Sequence, residues 1–161
     1  MDVSITQHPE LKLVTLEVVG RRSELSHRVP LAWLELVRRC ADLPDRVEPQ
    51  LFFGAFPESD HASDGAHGVY TYRVGAEVRS FDHVPDGLEP LVVPERRYVT
   101  TRVEGSADAI DAAYGRLFAW LQERGLRSDP RAWALERYDE RRQRVTPPYA
   151  RFDYDVLKPL A

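Results

Sequence analysis

One order of strand-like and helix-like segments occurs twice along this chain, and that duplication restricts the possible folds more than any single motif does. Leu11 to Val19 (LKLVTLEVV) is rich in Val, Leu and Thr and stops at Gly20, as a strand does. Trp33, Leu36, Val37 and Cys40 follow at the spacing of one helical face. Pro30 is read as part of that helix's first turn, where proline is tolerated, and Pro44 as its limit. Leu51 to Phe56 (LFFGAF) reads as a short aromatic strand ending at Pro57, and Val69 to Val78 (VYTYRVGAEV) as a longer strand. Alternation puts Tyr70, Tyr72, Val74, Ala76 and Val78 of that strand on one face. Residues 79–96, with Pro85, Asp86-Gly87, Pro90 and Pro94, read as a turn-rich connection.

The order then returns. Tyr98 to Glu104 (YVTTRVE) is a strand stopped at Gly105, and Ser106 is a candidate helix N-cap with Asp108 and Asp111 near the positive helix end. Ile110, Ala113, Tyr114, Leu117 and Leu121 form a helical stripe, closed by Arg124 and Gly125. Trp133 to Tyr138 (WALERY) and Phe152 to Leu157 (FDYDVL) are strands. One such unit buries too little surface to be stable alone. Two side by side predict an α+β fold: strand–helix–strand–strand repeats, about 1–80 and 95–161, forming a pseudo-twofold antiparallel sheet with two long helices on one face. The 161 residues suit a single domain. A cavity is expected on the other sheet face or at the seam between the halves.

Several functions are excluded by what the chain lacks. Its apolar runs are too short to cross a bilayer. The N-terminus has neither the basic start nor the apolar stretch of a secretion signal, so a cytoplasmic location is expected. A single cysteine, Cys40, rules out an internal disulfide and a cysteine-ligated zinc site and reads as a small core residue. The formal charge of −4 argues against sequence-independent nucleic-acid binding. Paired arginines such as Arg21-Arg22, Arg38-Arg39, Arg96-Arg97 and Arg141-Arg142 are scattered rather than aligned into a stripe. No P-loop, G-x-G-x-x-G, G-x-S-x-G or H-E-x-x-H motif occurs. Asp60, His61, Asp64 and His67 lie in a segment of small and polar residues whose spacing matches no metal-ligand signature. It reads as a loop able to cover a cleft mouth, with no metal and no cofactor expected.

The ordered segments LKLVTLEVVG, PLAWLELVRRC, FFGAFP, VYTYRVGAEV, LEPLVVPERRYVTTRVEGS, AYGRLFAWLQERG, WALERYDE and FDYDVLKPL resemble the GyrI-like effector-binding domain over nearly the whole chain, from about Val3 to Leu160. That domain is also the ligand-sensing half of AraC-type and MerR-type multidrug regulators. The resemblance implies a cleft between two strand–helix–strand–strand units, lined by aromatics, in which a glutamate of the penultimate strand faces cationic, amphipathic molecules. The matching residue is Glu136. Where many members carry Tyr-Asp-x-Pro, this chain has Gly54-Ala55-Phe56-Pro57; where members carry Gly-Pro-Tyr, it has Gly105-Ser106-Ala107. The lining is therefore expected to differ in detail. Only ten residues precede Leu11, so no DNA-binding headpiece is expected there.

Read from the residues alone, Glu136 either pairs with Arg137 or another arginine at a sheet edge, or serves as a cleft carboxylate. In an apolar cleft a carboxylate needs compensation, which an organic cation would supply, and aromatic faces would add cation–π attraction. The resemblance favours the cleft. The expected ligand-binding set is Glu136 with Trp33, Phe53, Phe56, Tyr70, Tyr72, Trp133 and Tyr138. Three functions are compatible. The first is a stand-alone protein that binds amphipathic cationic or aromatic small molecules. The second is a hydrolase of strained, cyclopropane-bearing electrophiles, with Glu136 as its catalytic acid or base. The third is a protein-interaction module such as a gyrase inhibitor, independent of Glu136.

Overall fold

A computed structural model describes residues 2–62 and 68–161. The histidine-bearing loop expectation falls on side chains of residues 61–67, which lie outside what is described. The elements are β1 (Ser4–His8), β2 (Leu11–Arg21), α1 (Arg22–Cys40), β3 (Leu51–Pro57), α2 (Glu58–Ala62), β4 (Val69–Glu77), β5 (Glu89–Val93), β6 (Arg96–Gly105), α3 (Asp108–Glu123), β7 (Trp133–Asp139) and β8 (Phe152–Pro159). All eight strands form one curled antiparallel sheet in the order β1-β6-β8-β7-β3-β4-β2-β5. The fold is the expected α+β class.

The two halves are β5-β2-β4-β3 and β1-β6-β8-β7, joined where β3 pairs with β7. Pairing registers show the pseudo-twofold relation. Gly54 of β3 lies opposite Val74 of β4 as Glu136 of β7 lies opposite Val156 of β8. Leu16 of β2 faces Val74 as Thr101 of β6 faces Val156. Gly20 and Gly105 are thus counterparts, as are Leu25 and Ile110, Tyr70 and Phe152, and Tyr72 and Tyr154. Each repeat also carries a leading strand that the sequence reading missed. β1 precedes β2 in the chain but pairs with β6, and β5 precedes β6 but pairs with β2. The halves therefore exchange their outermost strands. β5 lies inside the stretch read as a bare connection, and Pro90 fits there because an edge strand tolerates a missing ladder donor.

Both long helices cover one sheet face. Trp33, Leu36 and Cys40 of α1 and Ala113, Leu117 and Leu121 of α3 join Phe52, Val74, Val99, Val103, Tyr154 and Val156 in one core. The helix-free face is not open. The sheet curls so that Leu11, Leu13, Phe53, Ala55, Val93, Tyr98, Leu135 and Leu157 form a second core. His8 of the edge strand β1 reaches the rings of Phe53 and Tyr98, with centroids 6.0 and 6.4 Å away.

The helix starts differ from expectation. Pro30 is not in a first turn; α1 begins at Arg22 and Pro30 is in its interior. The Arg21 N–H donates to the Glu24 carboxylate at 3.0 Å, which satisfies one orphan donor of the true first turn. Ser106 does not cap α3 through its side chain; its carbonyl accepts from the Ala109 N–H at 2.9 Å. The extra turns of α1 before Pro30 carry Arg22 and Leu25 over the sheet seam.

Candidate functional site

Alternation along β7 sends Glu136 and Tyr138 to the helix-covered face and Trp133, Leu135 and Arg137 to the other. Glu136 sits mid-strand at the seam, opposite Gly54, and is only 8% exposed. Three phenols converge on its carboxyl group. Tyr72 donates to Oε1 at 2.6 Å, Tyr138 donates to Oε1 at 3.0 Å, and Tyr114 donates to Oε2 at 2.9 Å. A carboxylate offers about four acceptor positions, so most are filled from within the protein. Among the described residues no basic side chain forms an ion pair with Glu136. The alternative of a Glu136–Arg137 pair is therefore corrected: neighbouring strand residues face opposite ways.

Burial, and after it the Glu136 charge, holds the Tyr72, Tyr114 and Tyr138 hydroxyls well above the ordinary phenol range. Tyr154 is raised by the same two causes in the same order. These four hydroxyls remain protonated at neutral pH. Tyr72 comes from β4 and has to cross β3 to reach β7. It does so over Gly54, where an added Cβ would overlap its hydroxyl and ring. The glycine is required by that close approach.

Two cavities flank Glu136. The first, about 450 Å³, is lined by Arg22 and Leu25 of α1, Phe56, Asp60, Tyr70, Thr71 and Tyr72, and by Ile110, Asp111 and Tyr114 of α3. The second, about 390 Å³, adds Val29, Pro30 and Trp33 of α1 to Tyr138, Gln143, Val145, Tyr149, Phe152 and Tyr154. Leu25, Tyr72, Ile110 and Glu136 line both, so the two are lobes of one cleft meeting at the glutamate. The rings are packed edge and face. Trp33 meets Tyr138 edge-on at 5.5 Å, Tyr138 lies 4.6 Å from Tyr154, and Phe56 stacks on Tyr72 at 6.1 Å between centroids.

The structure brings six of the eight expected residues to this cleft: Glu136, Trp33, Phe56, Tyr70, Tyr72 and Tyr138. Phe53 and Trp133 are placed elsewhere. Both lie on the opposite sheet face, Phe53 in the second core and Trp133 packed against it, because their parity along β3 and β7 is opposite to that of Phe56 and Glu136. The cavity opens at the seam, but on the helix-bearing face. Sequence reasoning missed Tyr114, read as part of a core stripe; a tyrosine on a buried helical stripe needs a hydroxyl partner, and that was the available signal. Leu25 lies before Pro30, outside the part of α1 that the apolar spacing marks. No cluster of three or more His, Cys, Asp or Glu able to hold a metal occurs among the described residues. None of the described helices is long and apolar enough to cross a membrane.

Residues 4–154 match the Cass2 family, described as integron-associated effector binding protein. Transcriptional regulator BrlR of Pseudomonas aeruginosa is 25% identical over 143 residues, which cover 88% of this chain and 49% of that protein. The chain thus spans about half the length of that relative. Among solved structures, the EcmrR C-terminal domain superposes with a TM-score of 0.72 at 14% identity, covering 99% of this chain and 97% of that one. SAV2435, solved with tetraphenylphosphonium bound, gives 0.67 at 11% identity, covering 100% and 94%. At such identities the structural likeness speaks for the fold.

Proposed function

The chain belongs to the Cass2 family of effector-binding proteins, a GyrI-like group whose members bind small molecules, and from this we propose that its cleft captures amphipathic organic cations with Glu136 as the counter-charge. One observation supports this reading above others: a nearly buried carboxyl group, ringed by tyrosines, that no basic side chain of the described protein neutralises. Phenols orient the group and satisfy its lone pairs without cancelling its charge. A cation entering either lobe gains that charge in a site shielded from water, where electrostatic attraction is strengthened. Each aromatic face it covers adds about 0.5–2 kcal/mol. The aromatic walls also bury the apolar part of the ligand.

The test is calorimetry with tetraphenylphosphonium and planar cationic dyes, each matched to a neutral aromatic of similar size. Removing one member of a buried charge pair costs about 2–5 kcal/mol. Glu136→Gln is expected to lose that much affinity for the cations and far less for the neutral compounds. Absence of cation binding, or equal affinity in Glu136→Gln, refutes the reading. Mass spectrometry of the recovered compound, expected unaltered, separates capture from hydrolysis.

A further inference from the structure

The two lobes are related by the pseudo-twofold axis but are chemically unequal. Tyr70 and Tyr72 of β4 floor the first lobe, and their counterparts Phe152 and Tyr154 of β8 floor the second. Leu25 and Ile110, counterparts at the starts of the two long helices, line both. Geometry alone would therefore accept a ligand extending equally to both sides of Glu136. The linings differ instead. The second lobe takes in Trp33, Val145, Tyr149 and Phe152 and, among its described lining residues, has no acidic side chain besides Glu136. The first has Asp60, Asp111 and Arg22 in addition.

The placement of those charges is specific. The Asp60 Oδ2 accepts from the Thr71 N–H at 2.9 Å, which fixes that carboxylate at the edge of β4. Asp111 lies exposed in the first turn of α3. The Arg22 guanidinium lies over the Tyr70 ring, 5.4 Å from its centroid. Two carboxylates against one guanidinium leave the first lobe acidic beyond Glu136. A singly charged ligand centred on Glu136 would leave those carboxylates unused.

We propose that the ligand is a two-armed cation, with its charged centre at Glu136, an aromatic arm in the second lobe, and a basic amine on the other arm reaching Asp60 and Asp111 in the first. This rests on the cation-binding reading above and adds to it the charge and polarity of the ligand's two ends. Discrimination by length follows, because an arm too short leaves its amine beside Leu25 and Ile110 rather than beside the carboxylates.

The test uses two series of benzyl-dimethylammonium probes. One carries ω-aminoalkyl arms of increasing length; the other carries ω-hydroxyalkyl arms of the same lengths. Exposed ion pairs contribute little individually, so at low salt the aminoalkyl probe of best length is expected to bind about five-fold tighter than its hydroxyl match. The preference should shrink as ionic strength rises. In the double variant Asp60→Asn, Asp111→Asn the ratio is expected to fall to about one, whereas Glu136→Gln should weaken both series and keep the ratio. Equal binding of the two series at every length, with both still dependent on Glu136, overturns the two-armed proposal alone. A ratio unchanged in the double variant overturns it as well. Failure of both series to bind, or their indifference to Glu136→Gln, overturns the underlying cation reading and this proposal with it.

Discussion

The close approach of Tyr72 to Gly54 makes a methyl group the sharpest available probe of the site. In Gly54→Ala the new Cβ would occupy the place of the Tyr72 hydroxyl and adjacent ring carbon and would stand 3.1 Å from Cε1. The ring must swing away, and its 2.6 Å bond to Glu136 Oε1 is lost. A hydrogen bond to a charged group contributes about 1.5–3 kcal/mol. Against this, Ala restricts the unfolded chain and returns about 0.4–1 kcal/mol. The net destabilisation is then about 0.5–2.5 kcal/mol, or roughly 1–10 °C in melting temperature for a chain of this size. Affinity for cations should fall too, since Phe56 loses its stacking partner and Glu136 one of its orienting donors. Denaturation of Gly54→Ala, Tyr72→Ala and the double variant forms a closed cycle. Truncating Tyr72 removes the three atoms nearest the added methyl, so Gly54→Ala in the Tyr72→Ala background should be neutral or slightly stabilising. The same cost in both backgrounds would refute the reasoning.

Two further outcomes follow from buried ionisable groups, in the cleft and away from it. Tyr72, Tyr114, Tyr138 and Tyr154 have folded-state values raised by burial, and burial pushes Tyr98 and Tyr149 to about 12. Their stabilising contribution is complete below the unfolded phenol value near 10 and is lost as pH rises above it. Denaturant titration should show stability falling by about 1.4 kcal/mol per pH unit for each tyrosine that only the unfolded chain ionises; a flat profile above pH ~10 would contradict the burial of these phenols. The second concerns Lys158, whose Nζ donates to both carboxylate oxygens of fully buried Glu58 at 2.8 Å. Lys158→Met should cost about 3–5 kcal/mol by stranding a buried charge, and the loss should ease as acid neutralises Glu58, whose titration burial already pushes up. Pairing it with Glu58→Leu should recover most of the loss in chemical denaturation.

The long elements were legible in the sequence because their periodicity is strong. Ile110, Ala113, Leu117 and Leu121 marked α3, and the alternation of Tyr70, Tyr72 and Val74 marked a face of β4 that does reach the cleft. The edge strands were not. β1 is short, and its half-buried positions are the polar Thr6 and His8 while Ile5 is exposed, so no apolar alternation marks it; β5 contains a proline that reads as a turn. The start of α1 was hidden because Pro30 is a stronger textual signal than the Glu24 contact that begins the helix. Glu136 was placed through resemblance rather than through its neighbours. Phe53 and Trp133 show why: composition makes every aromatic a candidate, and only the parity of each strand, fixed by pairing across the seam, decides which rings meet the glutamate.

The crossed edge strands and matched registers describe a molecule that two identical chains could nearly build. A homodimer of one repeat would have to place the same residue at both positions now held by Gly54 and Glu136, which face each other across the junction. Two acids there would repel at close range within an enclosed space; two glycines would leave no charge at all. Joining the repeats in one polypeptide lets one copy contribute the anion while the other contributes only room for the tyrosine that holds it. The lopsided cleft thus depends on two unlike repeats in one polypeptide, because a strictly symmetric pair would present the same chemistry on both sides of the junction.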